Sequence, residues 1–257
     1  MNIHSHNSKA WDKLAEDNIE WSVPVSAEEI ERARRGDWEV ILTPLKPVPR
    51  EWFGDVRGKD ILCLASGGGQ QAPILAAAGA NLTSFDASAG QLEKDRLVAE
   101  RENLQIRIER GDAADLGRFP DESFDLIFNP CSNCFMADLR PVWNECYRVL
   151  RPGGALLTAF NQPFIYIYDF RAEEREGILK LRHKLPYSDV ESLTEEEKSE
   201  LIERGEPLEF SHSLDSQIGG QLEAGFLIAG FYEDWWTDEA RLLNKYAPTF
   251  ISTRAIK

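Results

Sequence analysis

The chain has 257 residues, 42% hydrophobic and 28% charged, with 18 glycines and 13 prolines, a balance that excludes a disordered or collagenous chain. Against 44 Asp and Glu stand 29 Lys and Arg, a formal net charge of −15, which opposes nonspecific attachment to nucleic acid or to an anionic bilayer. No apolar leader follows Met1, no apolar run approaches the roughly 18 residues that span a bilayer, and four cysteines (Cys63, Cys131, Cys134, Cys146) in so long a chain make no disulfide framework, so a cytoplasmic protein with reduced thiols is expected.

Residues 1–55 carry Trp11, Trp21, Trp38 and Trp52 ahead of any strand pattern. Such a segment needs a surface to cover, with Trp38 and Trp52 read as ordinary packing. From Asp60 onward, strands and helices alternate. Asp60–Ala65 is a short apolar run that stops at Ser66-Gly67-Gly68-Gly69, and Gln70–Ala78 reads as a helix closed by Gly79. Asn81–Phe85 is the next strand and meets Asp86; Ser88, followed three residues on by Gln91, reads as a capping box that opens a helix to about Arg101. Ile106–Ile108 and Asp125–Phe128 are further strands. Trp143, Cys146, Tyr147 and Leu150 recur at helical spacing, and Arg151-Pro152-Gly153-Gly154 stops that helix before a strand at Ala155–Ala159. Alternation of this kind implies a parallel sheet covered on both faces. Residues 161–220 interrupt it, first with the aromatic stretch Phe164–Phe170 and then with a charged helix over Leu193–Arg204, and read as an insertion over the strand ends. Strand-like sequence returns at Phe226–Phe231 and Thr249–Arg254.

Ser66–Gly69 lies between a strand and a helix, where residues without Cβ let the backbone approach a ligand and the loop N–H groups suit an anion. Gly67-Gly-Gly-Gln-Gln-Ala72 also satisfies the loose G-x-G-x-x-A dinucleotide pattern, and a plain tight turn reads the same way. Asp86 ends the next strand 19 residues beyond Gly67, where an acid accepts hydrogen bonds from ribose hydroxyls. The pair indicates an adenosine-containing cofactor.

From about Asp60 to Thr158 the chain resembles the class I S-adenosylmethionine-dependent methyltransferases. Ile61–Gly69 is similar to the family's first strand and glycine loop, which cradle the methionine part of the cofactor. The family's ribose acid falls on Asp86, with Ala87 beside the adenine; the adenine-edge contact falls on Gly111-Asp112-Ala113; the strand ending near the reacting methyl falls on Phe124–Asn129. Leu150–Gly154 before a strand is frequent in the small-molecule branch, and the last two strand candidates sit where the family's antiparallel hairpin belongs. Cys63 stands where the first strand usually carries an acid, and Ala65 where the loop usually has its first glycine.

The resemblance implies a Rossmann-like, doubly wound, mostly parallel seven-stranded α/β sheet ending in an antiparallel hairpin. The whole chain would be one methyltransferase domain, with an N-terminal cap (1–55), a cofactor core (56–160), an inserted lid (161–220) and a C-terminal hairpin (221–257). Cofactor contacts are implied for Ala65, Ser66, Gly67 and Gly69 in the loop, for Asp86, Ala87 and Gln91 beyond it, for Asp112, Ala113 and Asn129, and for Trp11 in a helix that closes over the site. Pro130, Ser132, Asn133 and Phe135 would line the acceptor pocket. The implied reaction is in-line transfer of a methyl group from S-adenosylmethionine to a small molecule, leaving S-adenosylhomocysteine, with no residue assigned as catalytic and no nucleic-acid or membrane partner. An NAD-dependent oxidoreductase, with Ala72 at the third glycine position, and a non-catalytic S-adenosylmethionine-binding protein are the other readings.

Three further features carry less. Asn129-Pro130-Cys131 resembles the motif of base-amine methyltransferases and, through Pro-Cys, that of cytosine enzymes with a thiolate nucleophile, but the charge of −15 argues against a nucleic-acid surface. Cys131-x-x-Cys134 is half of a zinc pattern without a second pair, since His4, His6, His183 and His212 are scattered, so no metal is expected. His183 and His212 have the chemistry of general bases, yet as solitary residues of an insertion they read as surface or packing, and Thr194–Glu197 reads as a solvated helix face.

Overall fold

The central strands read as unbroken apolar runs because both faces of their sheet are covered. The computed structural model describes residues 2–236 and 241–257. Two helices, α1 (Ile3–Glu16) and α2 (Ala27–Arg34), precede the alternating unit β1 (Asp60–Leu64), α3 (Gln71–Ala77), β2 (Asn81–Asp86), α4 (Ala89–Glu102), β3 (Ile106–Arg110), β4 (Phe124–Asn129), α5 (Arg140–Val149) and β5 (Leu150–Asn161). The insertion contributes α6 (Phe170–Glu176), α7 (Asp189–Ser192) and α8 (Glu195–Arg204), and the chain closes with α9 (Gly220–Ala224), β6 (Leu227–Asp234) and β7 (Phe250–Ile256). The described strands form a seven-stranded sheet in the order β3-β2-β1-β4-β5-β7-β6, with β7 antiparallel to both of its neighbours. Strand order reverses between β1 and β4, and the crevice beyond their C-terminal ends is where open α/β sheets bind ligands.

Alternation along β1 splits the core. Ile61 and Cys63 pack with α3 and the N-terminal segment, whereas Leu62 and Leu64 pack with Trp143, Cys146 and Val149 of α5. The segment 1–55 divides in two. Ile30, Trp38, Val40, Trp52 and Phe53 are buried against one sheet face, with Trp38 edge-on to Phe53 at 5.2 Å and Trp52 against Tyr232 at 5.4 Å, the packing role expected of both. Helix α1 instead docks on the start of α4. Asp12 Oδ1 there accepts from Ser88 Oγ (2.6 Å) and from Gly90 N (2.8 Å), an acid at the positive end of a 14-residue helix.

Two local expectations change. Ser88 caps α4 by accepting from Gln91 N (3.1 Å), but the reciprocal half of the box is missing, because Gln91 Nε2 donates to Ser22 Oγ (2.7 Å) and Ser88 N donates to Asp86 Oδ1 (2.9 Å). Arg151–Gly154 belongs to β5 instead of preceding it. Gly153 N donates to Lys257 O (2.9 Å) and Lys257 N to Gly154 O (3.0 Å), so pairing with the chain's last residues carries strand geometry through the bend, and the register with β4 shifts between Phe124 and Leu126.

The insertion forms a small aromatic core, Tyr166 and Tyr187 with Phe170 and Leu193, against Cys134; α8 has no buried residue, and Thr194, Glu195 and Glu196 are exposed as expected, whereas Glu197 is paired with Arg182 instead of solvated. A π-turn at Asp215–Gly219 leads into α9, and Trp143 Nε1 of α5 donates to Ser216 O (2.9 Å), which returns the chain to the helical layer. Among the described residues, no helix is long and apolar enough to cross a membrane.

Candidate functional site

Past Leu64 the chain reverses at Ala65, which holds a left-handed conformation (φ +48°) of the kind that favours glycine. A methyl group is small enough there, and Ala65 N donates to Phe85 O (2.7 Å), tying the turn to β2. The three glycine amides that follow Ser66 are all used inside the protein. Gly67 N donates to Asp86 Oδ2 (3.0 Å), Gly68 N to Gln91 O (3.0 Å) and Gly69 N to Asp95 Oδ1 (2.8 Å). The expectation that the glycines offer their N–H groups to an anion is therefore corrected, since these three donors are already satisfied. The glycines serve close approach of protein to protein: a Cβ on Gly68 (φ +128°) would lie 2.5 Å from Trp21 O.

Asp86 stands at the tip of β2 with one oxygen bonded to Gly67 N and the other to Ser88 N. Burial raises its pKa, and the backbone bonds from Ser88, Gly67 and Ala87 oppose that rise. A carboxylate has about four lone-pair sites, so at least one remains for a ligand hydroxyl. Behind the loop, Asp95 of α4 is buried with Oδ2 accepting from Ser84 Oγ (2.5 Å), and burial pushes its carboxyl up to about 7. Cys63, in place of the first-strand acid, is fully buried and its thiol pKa is raised by burial.

A cleft of about 270 Å³ lies over these strand ends. Ala65, Ser66, Gly67, Asp86, Ala87, Gln91, Asp112, Ala113 and Trp11 all line it, as do Pro130, Ser132 and Phe135. Trp11 meets Phe135 edge-on at 5.0 Å. Three expected site residues are not in the wall. Gly69 faces Pro24 and Lys94. Asn129 is fully buried, with Nδ2 donating to Leu64 O (2.9 Å) and Oδ1 accepting from Thr158 Oγ1 (2.7 Å), so it fastens β1, β4 and β5 together. Asn133 is turned away, its Nδ2 on Gln217 Oε1 (3.1 Å). His212 is buried on Met136 O (2.8 Å) and His183 packs against Tyr187. Among the described residues no cluster of three or more His, Cys, Asp or Glu side chains is arranged to hold a metal.

Sequence reasoning missed several wall residues. Asn7 and Ser8 of α1, Thr43, Asn161 at the end of β5, Glu209 and Trp236 all line the cleft. Glu209 carried no local signal, being a single acid among many. Asp95 did carry one: it shares its helix face with the buried Gln91, Leu92, Val98 and Ala99, and an acid on an apolar stripe needs a partner.

A parallel sheet with an antiparallel last strand, a glycine turn and a carboxylate at the next strand's tip defines an α/β enzyme of the adenosine-binding kind. A family model described as a methyltransferase domain matches residues 62–158. The uncharacterized methyltransferase YbaJ of Bacillus subtilis (strain 168) is 47% identical over 253 residues, 98% of each chain. Demethylmenaquinone methyltransferase of Clavibacter sepedonicus is 35% identical over 109 residues, 42% of this chain and 44% of that protein. An S-adenosylmethionine-dependent methyltransferase of Mesorhizobium loti shares the fold at a TM-score of 0.62 and 20% identity, over 81% of this chain and 95% of that one. The chain belongs to the class I S-adenosylmethionine-dependent methyltransferases, which overturns the oxidoreductase reading. The internally satisfied loop amides agree, because a dinucleotide's pyrophosphate draws on such donors.

Proposed function

We propose that this enzyme binds S-adenosylmethionine along the β1–β2 end of the cleft and transfers its methyl group in line to a small-molecule acceptor at the opposite end. The observation that carries the reading is the charge of the cleft wall. Its acids are Asp86, Asp112 and Glu209, and no Lys or Arg is among its described residues, a wall suited to cationic ligands such as a sulfonium cofactor and unsuited to a phosphate. Asp86 would hold the ribose hydroxyls, Asp112 and Ala113 the adenine, and Ala65–Gly67 the methionine part. When bound, S-adenosylmethionine supplies a methyl carbon made electrophilic by the adjacent sulfonium. The chain's own part is to align the acceptor and exclude water, which Trp11, Phe135 and the insertion accomplish by roofing the cleft.

A volume of about 270 Å³ against the roughly 300–1,000 Å³ of ligand pockets favours a small acceptor and an opening cover. The −15 charge argues against nucleic acid, and the same reading has the enzyme acting in the cytoplasm. Methyl-labelled S-adenosylmethionine incubated with a fractionated metabolite extract, with the label followed by mass, tests the reading. S-adenosylmethionine or S-adenosylhomocysteine should raise the Tm and NAD(H) should not; label that enters only nucleic acid or protein would overturn the acceptor class.

A further inference from the structure

Glu209 closes a chain of hydrogen bonds at the end of the cleft away from Asp86. Cys131 Sγ donates to Asn161 Oδ1 (3.2 Å), Asn161 Nδ2 donates to Tyr166 Oη (2.9 Å), and Tyr166 Oη donates to Glu209 Oε2 (2.7 Å). The carboxylate is thus aimed from the end of β5 and from the insertion at once. Asp189 fixes its backbone, with Oδ2 accepting from Glu209 N (2.6 Å) and Asp189 N donating to Glu209 O (3.0 Å). Oε1 accepts no hydrogen bond from any described residue, and Glu209 lines the cleft.

Among the described residues no Lys, Arg or His is ion-paired or hydrogen-bonded to this carboxylate. The groups that face it are Tyr166, Asp189, Glu206 and the thiol of Cys134, with Arg241 acting on it at a distance while lying 3.7 Å from Glu173. The cleft that Glu209 lines also presents Phe135, Met136, Trp236 and Phe250. Negative charge in an apolar wall is costly unless a counter-charge arrives, and here the acceptor is what can bring one.

Resting on the proposed methyl transfer, we infer that Glu209 recognises the acceptor as an ammonium ion and takes its proton, so that the substrate class is an amine carrying an apolar group. The ammonium N–H bonds to Oε1; its proton moves to the carboxylate, leaving a neutral amine and a carboxylic acid. The freed nitrogen lone pair forms the C–N bond as the C–S bond breaks, its electron pair returning to sulfur, which yields the methylated ammonium and S-adenosylhomocysteine. The Glu209 proton leaves to water on product release. Burial pushes the Glu209 carboxyl up to about 7, where a base both holds and releases a proton near neutrality.

The test uses the full chain saturated with S-adenosylhomocysteine, Glu209→Gln and Tyr166→Phe variants, and the matched probes 2-phenylethylamine and 2-phenylethanol. By calorimetry at pH 8 the wild type should bind the amine about tenfold more tightly than the alcohol, Glu209→Gln should erase the preference, and Tyr166→Phe should narrow it, with S-adenosylhomocysteine affinity unchanged throughout. In turnover with the amine, Glu209→Gln should lower kcat/KM about 100-fold. It should also replace a bell-shaped pH profile, rising near pH 7, by a single limb near the free amine's own value of about 10. A wild type without preference for the amine, including one that binds neither probe, or a preference that survives in Glu209→Gln, would overturn the inference. Weakened S-adenosylhomocysteine binding in Glu209→Gln would overturn it too, by giving the carboxylate to the cofactor's ammonium. Failure of the wild type to bind S-adenosylhomocysteine at all is a different result and strikes the proposed function itself.

Discussion

The two ends of the cleft are built by opposite means. At the glycine-loop end, Ala65, Gly67, Asp86, Gln91 and Asp95 lie within about thirty residues of one another in sequence, and the bonds that shape the loop run among them. At the Glu209 end, Asn7, Thr43, Cys131, Asn161 and Glu209 converge from five separated segments. The first end inherits its geometry from the strand-helix alternation. The second exists only while α1 and the insertion are docked, so it is the end from which opening and selectivity can be drawn.

The largest expected effect tests that dependence. Asn7 pins α1 to both remote segments: Nδ2 donates to Phe135 O and Leu208 O (2.9 Å each), and Oδ1 accepts from Leu208 N (2.8 Å). Asn7→Ala strands three buried backbone groups at about 1–3 kcal/mol each, so a loss on the order of 4 kcal/mol is expected. Amide exchange should speed up at residues 133–136 and 208–212 while β1 and β2 keep their protection. Equal acceleration in β1 would erase the distinction between the two ends.

Slightly smaller is a pH effect at the loop end. The folded-state pKa of Asp95 is raised to about 7 from an unfolded value near 3.9, so between these values the folded chain holds a proton that the unfolded chain has released. Stability is therefore greatest below about pH 4 on this group's account and falls as pH rises toward 7, by on the order of 3 kcal/mol between about pH 5 and 7 at about 1.4 kcal/mol per unit. Asp95→Asn keeps an oxygen for Gly69 N and should flatten that part of the slope, read from urea midpoints at pH 5 and 7.5. The slope contributed by Glu209 should persist in it, and an unchanged total slope would show that Asp95 does not titrate there.

Next comes Asp86→Ala. A carboxylate bonded to ribose hydroxyls is worth about 1.5–3 kcal/mol, which predicts a loss of 10- to 100-fold in S-adenosylhomocysteine affinity by calorimetry. Unchanged affinity in a folded variant would remove Asp86 from the cofactor site.

What could be read from sequence follows the same division. The alternation, the glycine turn with its departure at Ala65, and Asp86 were legible because period, punctuation and spacing are local properties. The strand at Arg151–Gly154 was not, because its pairing with Lys257 is made across a hundred residues. Asn129 and Asn133 were placed in the right loop, but which amide faces the cleft depends on Thr158 and Gln217, and no motif encodes those partners. Tyr166 stood out as part of an aromatic run; its bond to Glu209 did not.

Trp11 bridges the two ends and should show it in the balance of its effects. It is half-buried and meets Phe135 edge-on at 5.0 Å, a contact worth about 0.5–1.5 kcal/mol beyond its area. Trp11→Ala should lower kcat/KM by about tenfold while shifting Tm less than Asn7→Ala does, because it removes a closing contact. In the free enzyme, α1 and residues 163–213 should exchange amides quickly and become protected when S-adenosylhomocysteine and an acceptor are both bound. The part of the N-terminal segment holding Trp38, Trp52 and Phe53 should not join them, since those side chains are core. A Trp11→Ala variant that only loses stability would make α1 ordinary packing.

The smallest effect is expected at Asp112, and the reason is solvent. Its Oδ1 accepts from Ala114 N (2.9 Å), and its Oδ2 lies 3.3 Å from His4 Nδ1 on α1, with about half of each side chain exposed. A hydrogen bond from Oδ2 to the adenine amino group competes with water and with His4, unlike the buried oxygens of Asp86, so it contributes less than the ribose contact. Its worth lies in selectivity, because a carboxylate accepts from the amino group of adenine and meets a carbonyl oxygen at the same position of hypoxanthine. Asp112→Ala should therefore leave S-adenosylhomocysteine affinity within about fivefold of wild type while narrowing the preference over its inosine analogue, measured by competition. A preference that survives intact would give adenine selectivity to the backbone around Ala113, and the glycine-loop end would then owe its specificity to main chain alone.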